Sequence, residues 1–394
     1  MYLIKNAQVI TPTGLMTSDV LVEGNKILQI GVNLSNTNAY VLDLHGLYLS
    51  PGFIDIHVHG GGGHTLMSGQ AEDVLAMCDA HGKQGTTSIV PTTLAAPIPK
   101  LLNAIDAVRD AQPICKQSNI LGVHLEGPFL SHAQSGAQNP ADLVTPTAES
   151  IHLLLNRWPG GIRMMGAAPE CDGVLELMPE CLKHGVTLSI AHSNATFEDV
   201  ELAINVGFTD VTHIYSGCSS VIRKNGFRIA GVVEAGLNFD ELSVQVIADL
   251  RHLPISLLKL IYKCKGPERI SLVTDGLEYS AADLVEGAIY KQENGIEAIY
   301  EDHVMKLPNR QAFAGSVATS RELVYNMYKY VGVPLHDAVT MATKTPAECI
   351  GLGDRKGLIE VGYDADLIAF NDDLQLSLRM VNGKLLQWGD RSYE

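Results

Sequence analysis

Two histidines, His57 and His59, stand one residue apart in the segment from Pro51 to Gly63 and are the first sign of chemistry in the sequence. Residues 53–58 are apolar enough for a buried strand, on which residues i and i+2 point to the same side. Two imidazoles placed side by side can share a metal ion, and the glycine run that follows leaves the strand end open. A hydrogen-bonded pair of histidines would explain this motif alone at least as well, so the other polar residues must decide.

Further residues able to bind a metal or move a proton each follow an apolar run, and they are Glu126, His192, His213 and Asp275. Each has an ordinary structural interpretation. Glu126 precedes Gly-Pro and could occupy a turn. His192 and Asp275 could cap helices, and His213 could be a buried core histidine. However, Thr196 can cap a helix that Gly207 ends, which places His192 and His213 at equivalent ends of neighbouring strands.

The elements that must position these residues form a repeating pattern. Between residues 51 and 356, buried strands alternate with amphipathic helices, which predicts parallel pairing with right-handed crossovers. At Gly85, Gly185 and Gly207 a helix ends at glycine and a strand begins at once. Strands are predicted at residues 53–58, 86–91, 120–124, 163–167, 186–191, 208–212, 243–248 and 270–274. We therefore predict an α/β fold, a TIM (β/α)8 barrel with its active site at the carboxyl ends of the strands.

The two ends of the chain have a different pattern from the middle. Residues 1–50 contain short strands without helical periodicity, and the C-terminal residues are similar, with a strong hairpin signal at Asn382-Gly383. We predict that residues 1–50 and 357–394 form one small composite β-sandwich and that residues 51–356 form the barrel.

The composition narrows the classes of partner. With 28 Lys and Arg against 44 Asp and Glu, the formal net charge is -16, which argues against nucleic-acid binding and anionic membrane surfaces. The N-terminus lacks the features of a signal peptide, and no apolar run is long enough to cross a bilayer. The seven cysteines are scattered singly, which suits reduced thiols. We expect a cytoplasmic protein that acts on a small molecule.

Over its full length the sequence resembles the amidohydrolase superfamily, and within it the N-acetylglucosamine-6-phosphate deacetylases. The matching blocks are Pro51-Gly-Phe-Ile-Asp55, His124-Leu-Glu-Gly-Pro128, Ala191-His-Ser-Asn-Ala-Thr196, Thr212-His-Ile-Tyr215 and Lys356-Gly-Leu-Ile-Glu-Val-Gly-Tyr-Asp-Ala-Asp-Leu367. The resemblance implies a TIM barrel with a β-sandwich from both termini and a metal bound by Glu126, His192 and His213. It also implies frequent dimers, and a second metal site is possible where the two histidines at 57 and 59 are retained.

Several positions depart from that family's usual pattern in the substrate-binding residues. Gln138 stands in Gly136–Pro140 where the family usually has a histidine that helps to hold the acetyl carbonyl. After His213, Ser216-Gly217 replaces the usual Asn-Ala, and Leu250 replaces a glycine ahead of the substrate-contacting His252. These changes put the identity of the sugar in doubt more than the reaction.

A carboxylate and two imidazoles leave coordination positions open, as in hydrolytic metal sites. The expected cofactor is one or two divalent ions, with zinc first and iron, manganese or cobalt as alternatives. An ion there would lower the pKa of a water molecule, whose proton Asp275 would accept and later return to the departing amine. The ion or Gln138 would steady the oxyanion. Glu126 would bridge two ions if His57 and His59 bind one, and a single ion is equally compatible with the sequence.

A local positive group follows His213 and contains Arg223, Lys224 and Arg228. A solvated loop is its ordinary interpretation. In a strongly acidic chain it is also the best available phosphate clamp. In the resembled family a basic residue here can reach the neighbouring subunit's site, so a homodimer is expected.

Three functional hypotheses remain. The first is an N-acetyl-hexosamine-6-phosphate deacetylase, most closely one for N-acetylglucosamine-6-phosphate. The second is a related amidohydrolase that acts on another N-acyl sugar, such as N-acetylgalactosamine-6-phosphate, or on a cyclic amide. The third is a barrel without catalysis. It predicts that metal ligands are missing, whereas the expected set is complete in this sequence. Cyclic-amide hydrolases often carry a carboxylated lysine after the fourth strand, whereas residues 167–170 contain none. The first hypothesis therefore leads.

Overall fold

A nearly closed ring of parallel strands forms the centre of the computed structural model, which describes residues 1–292, 295, 297–311 and 313–393. The eight barrel strands are Phe53–Val58, Thr86–Thr93, Val123–Glu126, Ile162–Ala167, Thr187–Ile190, Phe208–Val211, Ser243–Val246 and Ile270–Leu272. Each pairs in parallel with the next along the chain. The first and eighth strands meet through a parallel bridge between Val58 and Gly276 and through the bond from Asp275 N to His57 O. The barrel is therefore nearly closed.

Helices surround the barrel and cover its apolar outer face. Their bounds are Ala71–Gly82, Ile98–Ala111, Ala148–Arg157, Val174–Leu177, Pro179–Leu182, Phe197–Asn205, Val232–Asn238, Ile255–Lys265, Ser320–Tyr325, Leu335–Thr340 and Lys344–Cys349, with a π-helix at Asn326–Val331. One large apolar cluster joins strand residues such as Ile89 and Leu188 to helix residues such as Leu101 and Val200. Among the described residues, none of the helices is long and apolar enough to span a bilayer. The predicted fold class is confirmed.

The glycine junctions behave as the sequence predicts. Gly85, Gly185 and Gly207 have φ values of 95°, 72° and 106°. Positive φ is accessible to glycine without a Cβ clash, so each helix can end and the next strand can start within a few residues. Such short connections keep the functional residues at one end of the barrel.

Strands from both ends of the chain form one mainly antiparallel, nine-stranded sheet. They are Tyr2–Thr11, Gly14–Glu23, Lys26–Gly31, Tyr40–Asp43, Tyr48–Pro51, Leu367–Phe370, Leu376–Val381, Lys384–Trp388 and Arg391–Ser392. The two termini meet where Tyr48–Pro51 pairs with Leu367–Phe370. The sheet encloses its own apolar cluster, which includes Ile4, Leu42 and Met380. Both termini thus build one module beside the barrel.

A small sheet between the eighth barrel strand and the next helix was not predicted. Its antiparallel strands are Ile289–Lys291, Glu297–Glu301, Val304–Lys306 and Phe313–Gly315. It has a separate apolar cluster around Ala298, Tyr300, Met305 and Ala314. A two-stranded hairpin, Ile222–Lys224 with Phe227–Ile229, follows the sixth barrel strand, and another pairs Gly60–Gly61 with His64–Thr65. These insertions stand around the mouth of the barrel.

Candidate active site

The six predicted metal-binding and catalytic residues meet at the carboxyl end of the barrel. His57 lies in the first strand, and Glu126 is the last residue of the third. The other four follow their strands by one to three positions, as His59, His192, His213 and Asp275. The helix after His192 is capped by Thr196, whose side chain accepts from Asp199 N, so His192 is not a helix cap. The helix after Asp275 begins only at Ser320.

The backbone turns sharply at three of these residues. His192, His213 and Asp275 have φ values of 43°, 24° and 47°, in a region that side-chain-bearing residues seldom occupy. Such strained conformations concentrate at functional sites, where the surrounding structure holds them in place. Here the turn follows directly on a barrel strand and directs each side chain into the mouth.

The side chains form one compact cluster around the Glu126 carboxylate. Its Oε1 lies 2.7 Å from His213 Nε2, 3.1 Å from His192 Nε2 and 3.6 Å from His57 Nε2. Its Oε2 lies 3.4 Å from His59 Nε2. Asp275 Oδ1 completes the ring, at 3.1 Å from His59 Nε2 and 3.4 Å from His57 Nε2. Two groups within the cluster have ligand spacing, His57 with His59 and Asp275, and His57 with Glu126 and His213.

The hydrogen bonds outside the cluster show that it fits a metal ion. The Nδ1 atoms of His59, His192 and His213 face the carbonyl oxygens of Thr92, Gln134 and Ser216, and His57 Nδ1 faces the Gln245 side-chain oxygen. A carbonyl oxygen can only accept, so each Nδ1 carries a proton and each neutral ring points the Nε2 lone pair inward. Four lone pairs and two carboxylates then face one another and repel. A positive charge between them, either a proton or a metal ion, is needed to offset this repulsion.

The pKa values agree with this need for positive charge. Burial alone would raise the pKa of Glu126, but the imidazoles of His57 and His192 outweigh it and hold that pKa well below its usual value. Burial alone would lower the pKa of His57 and His59, yet the Glu126 and Asp275 carboxylates raise both above the usual value. The pKa of Asp275 is lowered, since the surrounding histidines outweigh its burial. A divalent ion would supply the same charge.

A pocket of about 510 Å³ opens above the cluster, a size that suits a small ligand. Four of the predicted substrate-binding residues line it: Gln138, Ser216, Gly217 and His252. Gln138 is also tied to the metal cluster, because its Nε2 donates to Glu126 Oε2 at 2.7 Å while its Oε1 accepts from Ala95 N at 2.8 Å. One amide hydrogen of Gln138 is therefore committed to Glu126.

Two glycines beside His192 leave room for its ring. A Cβ at Gly217 would lie 2.6 Å from His192 Nδ1, and one at Gly136 would lie 3.3 Å from His192 Cε1. Both residues also have positive φ, which disfavours a side chain independently. At position 217 the resembled family usually has alanine. The glycine found here leaves the space that the ring of His192, a predicted metal ligand, occupies.

His252 lines the same pocket as the cluster of histidines and carboxylates, although it belongs to the loop after the seventh barrel strand. Its Nδ1 faces Asp249 Oδ2 at 2.6 Å, and the other oxygen of Asp249 accepts from the backbone N–H groups of Arg251 and His252. Burial alone would lower the pKa of His252, but Asp249 raises it above the usual value. His252 can therefore carry positive charge toward a ligand.

The three predicted phosphate-binding residues, Arg223, Lys224 and Arg228, do not line the pocket of their own chain. They lie on the hairpin after the sixth strand, where Arg223 pairs with Arg228, and all three side chains are exposed. Among the described residues that line the pocket, none is a lysine or an arginine. A positive charge that binds a phosphate in this pocket would therefore come from His252 or from a residue that does not line the pocket.

Several residues of the site were missed by sequence reasoning. The inserted sheet and the segment before it supply Leu277, Glu278, Gln292, Leu307, Phe313 and Ala314 to the pocket wall. Two short apolar runs, at residues 298–300 and 304–305, are separated by the polar residues 301–303 and could have indicated a hairpin. Glu170 was not predicted to be a site residue. Its carboxylate accepts from Ser193 Oγ at 2.7 Å and from Asn194 N at 2.6 Å, which anchors the loop after His192.

Comparisons with known proteins agree with this architecture. The amidohydrolase family model matches residues 48–386. An N-acetylglucosamine-6-phosphate deacetylase from Lysinibacillus sphaericus is 28% identical, over 97% of this chain and 97% of its own. An N-acetylgalactosamine-6-phosphate deacetylase from Shewanella sp. (strain ANA-3) is 33% identical, over 87% of this chain and 84% of its own. The crystal structure of N-acetylglucosamine-6-phosphate deacetylase from Pasteurella multocida aligns with a TM-score of 0.89 at 28% identity, over 98% of this chain and 99% of that one.

Proposed function

The chain belongs to the amidohydrolase family, and on that premise we propose that it is a metal-dependent deacetylase of an amino-sugar 6-phosphate. The first candidate substrate is N-acetylglucosamine-6-phosphate, and the products are acetate and the amino-sugar phosphate. The observation that carries the proposal is the cluster in which four imidazole lone pairs and two carboxylates converge under one pocket. This donor set suits a hydrolytic metal site that retains open positions.

The residues of the cluster divide into ligands and a proton carrier. Glu126, His192 and His213 would hold a divalent ion, and where two ions bind, His57 with His59 would hold the second. A divalent ion supplies an acidified water molecule and polarises the amide carbonyl. Asp275 lies at the pocket wall and is ionised, because the neighbouring histidines lower its pKa, and it is the group proposed to accept a proton from that water molecule. It would return that proton to the amine nitrogen as the C–N bond breaks. Nitrogen and oxygen ligands favour zinc, with iron, manganese or cobalt as alternatives.

The acetyl and phosphate ends of the substrate would be bound by different groups. The second amide hydrogen of Gln138 is the donor proposed for the acetyl oxygen, and Ser216 and His252 are proposed to contact the sugar and its phosphate. The remaining phosphate contacts would come from Arg223, Lys224 or Arg228 of a second copy of the chain. This hairpin also exposes apolar side chains, with Ile222 57% and Phe227 76% exposed, which supports a homodimer interface there.

A second candidate substrate is N-acetylgalactosamine-6-phosphate. It is supported by the 33% identical Shewanella relative that is named for this epimer, and by the departures at Gln138, Ser216 and Leu250. The reaction would be unchanged, and only the contacts to one sugar hydroxyl would differ. A cytoplasmic location is also part of the proposal, because all seven cysteines are free thiols, as is usual in a reducing compartment.

A screen for acetate release tests the proposal. The purified, metal-loaded protein is given both epimeric N-acetyl-hexosamine 6-phosphates, the unphosphorylated sugars and a cyclic amide such as hydantoin. We expect kcat/KM to be highest for one of the two phosphorylated sugars. Equal rates with and without phosphate would refute phosphate recognition, a preference for the galacto epimer would change only the substrate, and hydrolysis of the cyclic amide alone would refute the deacetylase.

A further inference from the structure

A buried polar pair behind the metal cluster has no part in the proposed reaction. Asp210 lies in the sixth barrel strand and Gln245 in the seventh, and both side chains are 0% exposed. A buried carboxylate is costly unless it is fully hydrogen-bonded, so its presence calls for a physical reason. The pair touches the cluster at one point, where Gln245 Oε1 lies 2.8 Å from His57 Nδ1.

His57 differs from the other three histidines of the cluster in how its Nδ1 is held. His59, His192 and His213 each face a backbone carbonyl, which can only accept a hydrogen bond. His57 faces a side-chain amide, which can present either its oxygen or its NH2 group. Only the oxygen makes His57 carry its proton on Nδ1 and leave Nε2 free for a metal. The orientation of this amide therefore decides whether His57 can be a ligand.

Asp210 fixes that orientation. Gln245 Nε2 donates to Asp210 Oδ2 at 2.8 Å, and the reversed amide would place two oxygens against each other. Asp210 is itself held by hydroxyl groups, with Ser189 Oγ at 2.7 Å from Oδ2 and Ser243 Oγ at 2.6 Å from Oδ1. An ionised Asp210 can only accept at Oδ2, and a proton placed on Oδ1, toward Ser243, would still leave Oδ2 to accept from Gln245.

We propose that Asp210 and Gln245 are positioning residues that lock His57 in the tautomer with a protonated Nδ1 and thereby prepare its Nε2 for metal binding. The inference rests on the metal site of the proposed function but not on the sugar substrate. Hydrogen-bond partners of metal ligands contribute roughly 10- to 100-fold to metal affinity. His57 is the ligand whose tautomer this chain sets through side chains, so point substitutions can change it.

Two variants that remove a hydrogen-bonding group, and one conservative variant that keeps it, test whether Asp210 and Gln245 set the tautomer of His57. Gln245→Met removes the acceptor at similar length, and Asp210→Ala leaves the Gln245 amide free to rotate. Asp210→Asn keeps one oxygen for Gln245, while its new NH2 group can donate to Ser243, whose hydroxyl can turn to Thr209 O at 3.2 Å. We expect Asp210→Asn to behave like the parent and the two removal variants to differ from it.

The first measurement reads the tautomer directly by ¹⁵N NMR of the protein loaded with diamagnetic Zn²⁺, which supplies the positive charge that the facing lone pairs and carboxylates need, with His57→Gln to assign the signal. The parent and Asp210→Asn should show His57 protonated on Nδ1, and Gln245→Met and Asp210→Ala a mixture of tautomers. The second measurement is metal affinity by chelator competition, which should fall about 10- to 100-fold in the removal variants only.

The outcomes separate positioning from a general loss of structure. The tautomers of His59, His192 and His213 should stay unchanged in every variant, and a change in all four histidines together would overturn the proposal. An unchanged His57 tautomer in folded Gln245→Met would overturn it as well. If Gln245→Met does not fold, the comparison of Asp210→Ala with Asp210→Asn decides. No step uses a sugar, so failure of the deacetylase proposal would show in the acetate screen and not here.

Discussion

The cluster of histidines and carboxylates in the barrel is buried, whereas the basic hairpin after the sixth barrel strand is exposed. Glu126 and His57 are almost completely buried, lie in barrel strands, and meet their partners within one chain. Arg223, Lys224 and Arg228 are exposed on a hairpin, and none of them lines the pocket of its own chain. The hairpin tip at Phe227 is 76% exposed.

This difference teaches how the two halves of the proposed site are built. Metal binding needs several atoms held within a few tenths of an ångström, which packed strands of one chain can provide. Binding a phosphate dianion needs charge at hydrogen-bond distance, which a flexible arginine can bring from a neighbouring copy. On the proposed function, the barrel of one chain holds the groups that carry out the reaction, while recognition of the phosphate would depend on a second copy of the chain. The predictions below test this division.

The largest effect is expected from removal of metal ligands. Glu126→Ala combined with His213→Ala removes the carboxylate at the centre of the cluster and its nearest imidazole, so the protein should lose the ion held by Glu126, His192 and His213, and turnover should disappear. Elemental analysis of the purified protein measures this. Thermal unfolding of both metal-free proteins is the control for folding. A double variant that keeps the parent's metal content would show that the cluster is structural.

The next largest effect concerns proton transfer at Asp275. Asp275→Asn keeps the shape of the side chain but removes the base, so kcat should fall by roughly two to four orders of magnitude. Metal content, measured in the same samples, should hardly change, because Glu126, His192 and His213 are intact. A variant with parental kcat would exclude Asp275 as the acid and base.

A smaller effect is expected from the basic hairpin, and only for phosphorylated substrates. Arg223→Ala and Arg228→Ala each remove a donor to a charged group, which contributes about 1.5–3 kcal/mol where it binds phosphate. The kcat/KM of the sugar phosphate should then fall roughly 10- to 150-fold for the residue that makes the contact. The unphosphorylated sugar is the matched control, and its rate should be unaffected.

Mixed dimers sharpen the same comparison. An Asp275→Asn chain and a chain with the Arg223→Ala or Arg228→Ala substitution should each be poorly active alone. If the arginine acts on the neighbouring copy, mixing and reassociation should restore one site per heterodimer, which joins an intact Asp275 to an intact arginine. If the arginine acts on its own chain, no activity returns. The proposal that one chain carries out the reaction while a second copy binds the phosphate is then wrong.

The smallest effect concerns the pH dependence of binding at His252. Asp249 raises the pKa of His252, so the imidazole stays protonated to higher pH than usual and phosphate affinity should weaken as pH rises through that pKa. Asp249→Asn removes the cause, so the weakening should begin at lower pH, with KM changed roughly two- to tenfold near neutrality. KM profiles for phosphorylated and free sugar measure it. Identical profiles in parent and variant would remove His252 from phosphate binding.

Much of the fold follows from local patterns in the sequence. The eight barrel strands were predicted within a few residues of their observed bounds, because most are short runs rich in apolar and β-branched residues with a glycine before them or a polar residue after them. The inserted sheet at residues 289–315 was not predicted, since its short strands bury only one small face and lack a strong period. The hairpin at Asn382-Gly383 was predicted, because positive φ at both residues favours that sequence.

The sequence by itself determined the donor types and their order along the chain: His57, His59, Glu126, His192, His213 and Asp275, each at the end of an apolar strand. That is enough to predict a metal centre, because parallel barrel strands bring their carboxyl ends together. Only the tertiary structure decided which atom of each ring faces inward. That choice depends on hydrogen-bond partners far away in the sequence, such as Thr92 O for His59 and Gln245 with Asp210 for His57, and side-chain contacts between distant strands leave no local pattern.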